Sequence, residues 1–380
     1  MKKRIALEIT GALGGGGYKR YTESILKALV EEGPENEYLL FGVFWRDFPR
    51  KLEHLDLPKS PNVLRDFRRF PQGLLFPLEE FCGLRYHERF LLEHGVDIVH
   101  GVNSRTPPLD RLPSTTTLHF SELWDFKGYD KFYFNTMTER TVRQCDRVIA
   151  ISEHCKRSAF KAWGTPADKI DVIYYGSPTT RFTPPEGEPV PPPGVERPYF
   201  LFVGFTRPHK NPKLLAEAFC KLKAKRPDLP HRLVFAGGHG PDKPWIEERL
   251  AKAGLLEQVV FTGIVPQENI HKLFQAAYAF VCPSLDEGFA LPVVEAMGCG
   301  IPVIGVNAGA LPEVIGDAGL VPEPTPEAFC EAMERLILEP GLHASLRAKG
   351  FENLKRFDWN ASARKTLAVY DRILAERGRK

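Results

Sequence analysis

The 380-residue chain is longer than one typical domain core and suits two α/β domains of ordinary size. Its apolar content of 43% and charged content of 26% are those of globular proteins, which argues against extended intrinsic disorder. A formal net charge of +3 on a balanced chain gives no electrostatic case for a nucleic-acid partner.

Seven cysteines are scattered along the chain without the paired CxxC spacing of zinc sites. An odd number of thiols without pairing is typical of a reducing compartment, so we expect a cytoplasmic protein. The N-terminal run MKKRIALEIT is too short for a signal peptide and contains Glu8, which favours a first strand. No stretch reaches the roughly 20 apolar residues of a membrane-spanning helix.

The first domain is predicted over residues 1–176, where alternating strands and helices favour a parallel sheet. A strand at 4–9 leads through the glycine-rich stretch GALGGGGYKR into an amphipathic helix. Gly14 to Gly17 permit a close approach to an anion, but they match neither the GxGxxG fingerprint nor a P-loop. Four consecutive glycines could also form a flexible turn.

Arginines are mixed with aromatic and leucine side chains in residues 65–89. Such a segment could contact anionic lipid or a lipid-linked acceptor at the inner face of the membrane. An ordinary helical face with solvated arginines is the alternative. Peripheral membrane contact is therefore a hypothesis, and the sequence leaves both interpretations open.

Two short apolar runs at 96–100 and 115–119 are predicted strands, and the second ends in His119. Open α/β sheets bind ligands at the carboxyl ends of their strands, which makes His119 a candidate site residue. Further along, Ser152 is predicted to cap a helix. Residues 177–198 are crowded with prolines that exclude a helix or a central strand, so we assign them as the domain linker.

The second domain, residues 199–357, opens with a strand at 199–203 and the loop GFTRPHKN before a helix. Arg207 and Lys210 therefore lie at a strand-to-helix turn, where two cations would stabilise a diphosphate leaving group. The last segment, 358–380, is predicted to be a long helix capped by Asp358.

The stretch CPSLDEGFALPVVEAMGCGIPVI, residues 282–304, carries the strongest functional pattern. Pro292 favours a helix start near Leu291, and the backbone amides just before it would lack partners within the helix. Such a turn suits a phosphate or a sugar oxygen. Glu287 precedes the turn and Glu295 lies about one turn inside the helix, where both could accept hydrogen bonds from sugar hydroxyls. Alternatively, both glutamates only favour the positive end of the helix dipole.

The string EGFALPVVEAMGCGIPV, in which Glu287 and Glu295 mark the two ends of the motif, resembles the donor-site signature of retaining glycosyltransferases of the family-4 type with the GT-B fold. The resemblance implies two Rossmann-like, doubly wound α/β domains facing across a cleft, with a C-terminal helix that crosses back to the first domain. It implies a nucleoside-diphosphate sugar as donor, with Glu287 and the following amides near the sugar and phosphate, and Glu295 on the ribose.

The resemblance also implies roles for single residues. It places His119 at the active site, although His-Phe stands here where the family often has His-Asp. Arg207 and Lys210 are similar to the family's cation pair, although Phe205 rather than arginine directly follows the glycine. The implied catalytic residues are His119, Glu287, Arg207 and Lys210. The implied donor-binding residues are Gly16, Gly17, Gly204, Val265, Phe289, Ala290, Leu291 and Glu295.

The implied activity is transfer of a hexose, with retention of configuration, from the nucleotide sugar to a hydroxyl of a saccharide or lipid-linked acceptor. The run Pro208–Asn211 looks most like that of bacterial mannosyltransferases of surface-polysaccharide pathways, which favours GDP-mannose. The chain contains no Asp-x-Asp, and the cation pair supplies the charge that a divalent ion would bring to a diphosphate. We therefore expect metal-independent activity and no cofactor.

Three alternatives remain open. A GT-B nucleotide-sugar epimerase would share the donor pocket but would form its product without an acceptor. A catalytically silent protein would bind nucleotide sugar without turnover. A nicotinamide-dependent dehydrogenase would need a glycine fingerprint that the sequence lacks.

Overall fold

The computed structural model describes residues 2–14, 16–44, 52–119, 128–177 and 182–378. The chain divides into two compact units, the first formed by Met1–Gly176 together with Asp358–Lys380 and the second by Ser177–Phe357. Each unit is built around one β-sheet whose strand pairings in the described residues are all parallel.

The sheet of the first unit has the strand order β3-β2-β1-β4-β5-β6-β7. Its strands are β1 (Arg4–Glu8), β2 (Glu37–Phe44), β3 (Val63–Arg69), β4 (Ile98–Gly101), β5 (Ser114–Leu118), β6 (Arg147–Ala150) and β7 (Ile170–Val172). The chain extends the sheet in one direction from β1 to β3 and in the other from β4 to β7. The topological switch point of this sheet therefore lies between β1 and β4.

Helices separate most of these strands, as the parallel pairing requires. They are α1 (Gly16–Glu32), α2 (Gln72–Cys82), α3 (Tyr86–Glu93), α4 (Gly128–Gln144) and α5 (Glu153–Trp163). The predicted cap of α5 is confirmed, because the Ser152 side chain accepts a hydrogen bond from the Cys155 amide at 3.0 Å. Apolar strand residues such as Ile5 and Leu7 are fully buried.

The C-terminal helix (Trp359–Arg377) belongs to the first unit. Asp358 caps it by accepting a hydrogen bond from the Asn360 amide at 2.7 Å, as predicted. Its Tyr370 is fully buried and forms a 2.6 Å hydrogen bond with Nδ1 of His100 on β4. The helix that was expected to return to the first domain is therefore part of that domain's core.

The second unit repeats the architecture with the strand order β10-β9-β8-β11-β12-β13. Its strands are β8 (Tyr199–Val203), β9 (Arg232–Ala236), β10 (Val259–Gly263), β11 (Ala279–Cys282), β12 (Val303–Gly305) and β13 (Gly319–Leu320). Its helices are α6 (Pro212–Lys225), α7 (Lys243–Lys252), α8 (Gln267–Ala276), α9 (Leu291–Gly298), α10 (Leu311–Ile315), α11 (Pro326–Leu338) and α12 (Leu342–Leu354). The switch point lies between β8 and β11, whose carboxyl ends carry the residues predicted to bind the donor.

The structure differs from the sequence predictions in two places. The segment 65–89 begins in β3, an edge strand, because its alternating polar and apolar residues suit a half-exposed strand. Gly16 and Gly17 begin α1 rather than a loop, and a 3-10 helix (Thr10–Gly14) precedes them. The described part of the predicted linker 177–198 contains neither helix nor strand.

Candidate active site

The turn between β11 and α9 contains the helix start at which anion binding was predicted. The helix begins at Leu291 with Pro292 in its first turn, which confirms the predicted start. Its N-cap residue Ala290 supplies no side-chain hydrogen bond, so the first-turn amides have no cap from that side chain. The side chains of Phe289, Ala290 and Leu291 are buried, so this turn can address a ligand only through its backbone.

Glu287 and Lys210 form an ion pair in front of this turn, with Lys210 Nζ 2.6 Å from Glu287 Oε1. Burial lowers the pKa of Lys210, but the neighbouring Glu287 carboxylate outweighs that effect, so the pKa lies above its ordinary value. Lys210 is therefore a fixed ammonium at neutral pH. The same surroundings, burial first and then the Lys210 charge, lower the pKa of His209.

Backbone hydrogen bonds fix the loop that carries Glu287. The Leu285 amide donates to the His209 carbonyl at 2.9 Å, and the Ala310 amide donates to the Glu287 carbonyl at 3.0 Å. Gly309 has φ +60°, and a Cβ added there would lie only 2.8 Å from the Glu287 amide nitrogen. The sequence prediction missed the role of Gly309. The only sequence signal for that role is the position of this glycine two residues after Asn307, in a predicted turn.

The loop after β8, which carries Lys210, lies on the glycine-rich loop after β9. The Thr206 hydroxyl accepts a hydrogen bond from the Gly240 amide at 2.6 Å. A Cβ added at Gly237 would lie 2.2 Å from the Gly204 carbonyl oxygen, and one at Gly238 would lie 2.1 Å from the Phe205 ring. The GGHG run is therefore needed for the two loops to meet, and Gly204 contributes backbone to that contact.

Arg207 differs from Lys210 in its surroundings. It is exposed, and its guanidinium carbon lies 4.9 Å from the centre of the Phe205 ring. Phe205 occupies the place where arginine was expected from the family pattern. The structure thus brings Lys210 directly to Glu287, whereas Arg207 is held at the edge of the same loop by a cation–π contact.

Glu295 lies on α9, one turn from its start, and is only 1% exposed. Burial, and to a smaller extent the Glu295 charge, raise the pKa of Cys299 to about 12. Burying a carboxylate costs free energy unless polar groups compensate. Contact between Glu295 and a ribose stays a prediction.

Val265 follows β10 at the same edge of the sheet and is half-buried. The Gly237 amide donates to the Gly263 carbonyl at 2.9 Å, which joins this turn to the glycine-rich loop. Ile264, between them, is 77% exposed. The turn therefore offers backbone and an apolar side chain at a residue that was expected to bind the donor.

In the first unit, His119 follows β5 and is buried. Its Nε2 lies 2.6 Å from the Val102 carbonyl oxygen, which can only accept, so Nε2 carries the proton and Nδ1 accepts from the Tyr175 hydroxyl. Burial lowers the pKa of His119 to about 4. Within the first unit, His119 is thus a neutral imidazole with both ring nitrogens hydrogen-bonded. Its catalytic role stays a prediction.

Gly16 and Gly17 form the start of α1, and the turn that follows them packs against His119. Tyr18 and Tyr21 lie edge-on against the His119 ring, with ring centroids 5.0 Å and 4.6 Å away. A Cβ added at Gly17 would meet no described atom within 4 Å. Contacts within the first unit therefore do not require glycine at position 17, and the expected approach of an anion to Gly16 and Gly17 stays a prediction.

The described residues were also compared with the requirements of a metal site and of a membrane-spanning helix. Among them, no group of three or more histidine, cysteine or carboxylate side chains is placed to hold a metal ion. None of the described helices combines the length and the apolar character needed to cross a membrane.

Similar proteins share most of this chain's length. The O-antigen chain mannosyltransferase B of Escherichia coli is 28% identical over 380 residues, which cover 93% of this chain and 95% of that protein. A D-inositol 3-phosphate glycosyltransferase of Streptomyces bingchenggensis is 30% identical over 247 residues, which cover 61% of this chain and 54% of that protein.

The fold has close parallels among solved structures. Sucrose-phosphate synthase from Thermosynechococcus elongatus superposes with a TM-score of 0.74 at 21% identity, and the match covers 99% of this chain and 100% of that one. The family model described as Glycosyltransferase Family 4 matches residues 15–181, and the model described as Glycosyl transferases group 1 matches residues 188–353. The chain therefore belongs to the group 1 glycosyltransferases, with two Rossmann-like domains of the GT-B fold.

Proposed function

We propose that the protein is a retaining glycosyltransferase that moves a hexose from a nucleoside-diphosphate sugar to a hydroxyl of a saccharide or lipid-linked acceptor. The observation that carries the proposal is the Lys210–Glu287 ion pair in front of the helix start at Leu291. A fixed ammonium beside the backbone amides of a helix start suits a diphosphate, and a carboxylate beside them suits sugar hydroxyls.

The chemistry assigned to these groups follows from the charges that develop. The bond between the anomeric carbon and the diphosphate oxygen breaks, and its electron pair stays on the diphosphate. Lys210 and the first amides of α9 stabilise that charge, with Arg207 as a second cation on the same loop. The acceptor oxygen bonds to the anomeric carbon on the same face, and its proton passes to the leaving phosphate oxygen.

Glu287 has two roles in this scheme, one before and one after the donor binds. Without donor it neutralises Lys210. A diphosphate oxygen competes for the same ammonium, which leaves the Glu287 carboxylate to accept hydrogen bonds from the sugar. Donor binding thus exchanges one charge-assisted bond for another and keeps Lys210 paired throughout.

Mannose from GDP-mannose is the donor that we propose. The support is the mannosyltransferase of Escherichia coli, which matches nearly the whole chain, and the run Pro208–Asn211. We also propose that no divalent ion is required, because the Lys210 ammonium and the helix amides supply positive charge at the diphosphate. All seven thiols are free, which agrees with the proposed action in the cytoplasm.

Contact with a membrane surface is proposed for one face of α2. Leu74 and Phe81 lie two turns apart on this helix and are 53% and 62% exposed, and Leu84 follows at 36%. Nearby acidic residues such as Glu79 and Glu88 are buried, whereas most arginines of the segment 65–89 are exposed. An apolar stripe with surrounding cations fits the interface of an anionic bilayer.

Calorimetric titration with GDP, UDP and ADP in EDTA tests the donor site. We expect selective binding of GDP that the Lys210→Ala and Glu295→Ala substitutions abolish. Turnover of GDP-mannose in EDTA, followed by product analysis with and without acceptor, then separates a transferase from an epimerase. Activity that EDTA abolishes and magnesium or manganese restores would refute metal independence.

A further inference from the structure

A recess that is lined by both ionisable and apolar side chains opens into the first unit at the carboxyl ends of β1 and β4. Including the part that is open to solvent it encloses about 310 Å³, and its enclosed part has room for about one water-sized group. Its ionisable lining residues are Glu8, Glu79, Glu80, His87, Arg105 and Arg140. The recess lies at the switch point of the sheet, where open α/β folds bind ligands.

Glu8 ends β1 and is 5% exposed. Its Oε1 accepts a hydrogen bond from the Thr10 amide at 3.1 Å and lies 4.0 Å from a guanidinium nitrogen of Arg105. Among the described residues, none donates a hydrogen bond to the other oxygen, Oε2. A buried carboxylate oxygen needs a donor, so Glu8 can accept one from a ligand in the recess.

The other charged groups of the recess already have partners. Glu79 accepts hydrogen bonds from the His87 amide at 2.9 Å and pairs with the His87 ring at 2.7 Å. The Nε atom of Arg140 lies 2.8 Å from Glu80 Oε1, and another of its nitrogens donates to the Thr106 carbonyl. Oε2 of Glu80 also has no donor among the described residues, but Glu80 is held by Arg140 at 2.8 Å, whereas Glu8 lies 4.0 Å from Arg105. A ligand can therefore address Glu8 or Glu80 without breaking one of these contacts, and Glu8 is the less tightly paired of the two.

The charges also discriminate between ligands. The lining carries three carboxylates and two guanidiniums, and the Arg105 guanidinium stacks on the Phe76 ring at 4.3 Å. A phosphate would approach the Glu8 carboxylate at close range, where two like charges near a protein surface repel each other more strongly than in bulk water. An uncharged hydroxyl meets no such repulsion and supplies the donor that Oε2 needs.

We propose that this recess binds one hydroxyl group of an uncharged saccharide acceptor, which donates to Glu8 Oε2, and that it rejects acceptors phosphorylated at that position. The inference rests on the proposed transferase function and adds the chemical class of the acceptor. It distinguishes this chain from the relatives whose name specifies inositol 3-phosphate.

The test uses the full chain, a donor that it turns over, and methyl mannoside and methyl glucoside, each with its 6-phosphate ester, as acceptor probes. Nucleotide release without acceptor is measured in parallel. The variants are Glu8→Gln, which removes the charge, and Glu8→Asp, which keeps the charge but withdraws it by one methylene. Glu139→Gln is the control, because Glu139 lies next to Arg140 on α4 but its side chain is 41% exposed and pairs with Arg143.

We expect wild-type kcat/KM to be at least about tenfold higher for a neutral glycoside than for its phosphate ester, the factor that a hydrogen bond to a charged group supplies. Glu8→Gln should raise the acceptor KM about tenfold and should lower the preference in kcat/KM for the neutral glycoside over its phosphate ester. Glu8→Asp should raise the acceptor KM but keep that preference. Glu139→Gln should match wild type. If Glu8→Gln does not fold, Glu8→Asp alone decides.

Three results would overturn the proposal: phosphate esters used as well as the neutral glycosides, Glu8 variants with unchanged acceptor KM, or donor turnover with no neutral glycoside accepted. Absence of nucleotide release from every donor in the wild-type chain is a different outcome. It would refute the proposed function itself, and the parallel measurement keeps the two failures apart.

Discussion

Replacing Lys210 with methionine removes the ammonium of the central ion pair and keeps most of the apolar stem. The two side chains of the pair are 25% and 14% exposed, which places it between a surface and a buried ion pair. At 2.6 Å the Coulomb attraction is roughly 6 kcal/mol with an effective dielectric constant of about 20. Desolvation of both charges offsets most of that, so we expect a net coupling of about 1–3 kcal/mol.

The effect on catalysis should exceed the effect on stability. Loss of one preorganised donor at a developing negative charge lowers kcat by a factor of about 100 to 1000. In Lys210→Met we therefore expect that loss in turnover of the sugar nucleotide, with a fall in the free energy of unfolding of about 1–3 kcal/mol. Lys213→Met is the matched control. Lys213 lies in the first turn of α6, just after the loop that carries Lys210, but its side chain is 45% exposed and pairs with Asp242.

A double-mutant cycle with Glu287→Gln measures the coupling directly, by kcat/KM and by chemical unfolding. Because the two side chains share one contact, their effects on stability should be non-additive. Activity of Lys210→Met within a factor of about three of wild type would refute the leaving-group role. Additive effects, within about 0.5 kcal/mol, would refute the energetic importance of the ion pair.

Three further perturbations test other parts of the molecule. Gly309→Ala should lower activity more than Gly254→Ala, measured on equally folded samples, since both glycines have left-handed φ but only Gly309 approaches the Glu287 backbone. The folded pKa of His119, about 4, lies below its unfolded value of about 6.5, so its stabilising effect is complete above pH 6.5 and is lost as the pH falls towards 4. Burial also lowers the pKa of His100 and His231, so urea unfolding across that range should show a loss of stability to which His119 contributes up to about 3 kcal/mol. His119→Asn should remove that contribution; an unchanged slope would contradict the assignment. Phe81→Ser should reduce co-sedimentation with anionic vesicles, whereas Phe160→Ser, at a residue that is 60% exposed on α5, should not; equal effects would argue against an α2-specific surface.

The sequence predicted the fold well where local and tertiary preferences agree. The strand at Tyr199–Val203 and the capped helix from Trp359 were predicted at the observed bounds, because apolar periodicity and capping are local signals. It missed β3, whose pairing with β2 at the sheet edge is a tertiary property. It also predicted a glycine loop where the structure has the first turns of α1, whose Tyr18 and Tyr21 pack against the His119 ring.

The candidate site was predictable to the extent that it is a linear motif. Glu287 and the helix start at Leu291 lie in one stretch, and Lys210 follows a strand end, so sequence placed them at one edge of the sheet. The roles of Gly309 and of the GGHG loop depend on distances between separate loops, which no local pattern encodes. Likewise, the recess at Glu8 joins β1 to helices about 70 to 130 residues away in the chain.

Backbone strain supports both candidate sites by an independent route. In the described part of the chain, the non-glycine residues with positive φ are Ser104, Asn211 and Ala290. Asn211 follows Lys210, Ala290 precedes Leu291, and Ser104 adjoins Arg105 of the recess while its hydroxyl accepts a hydrogen bond from the His119 amide at 3.3 Å. Such conformations cost about 1–2 kcal/mol each and persist only where the surrounding structure enforces them. None of the three is glycine, which would adopt the conformation without this cost, so the surrounding structure holds each of these turns in place beside a residue of a candidate site.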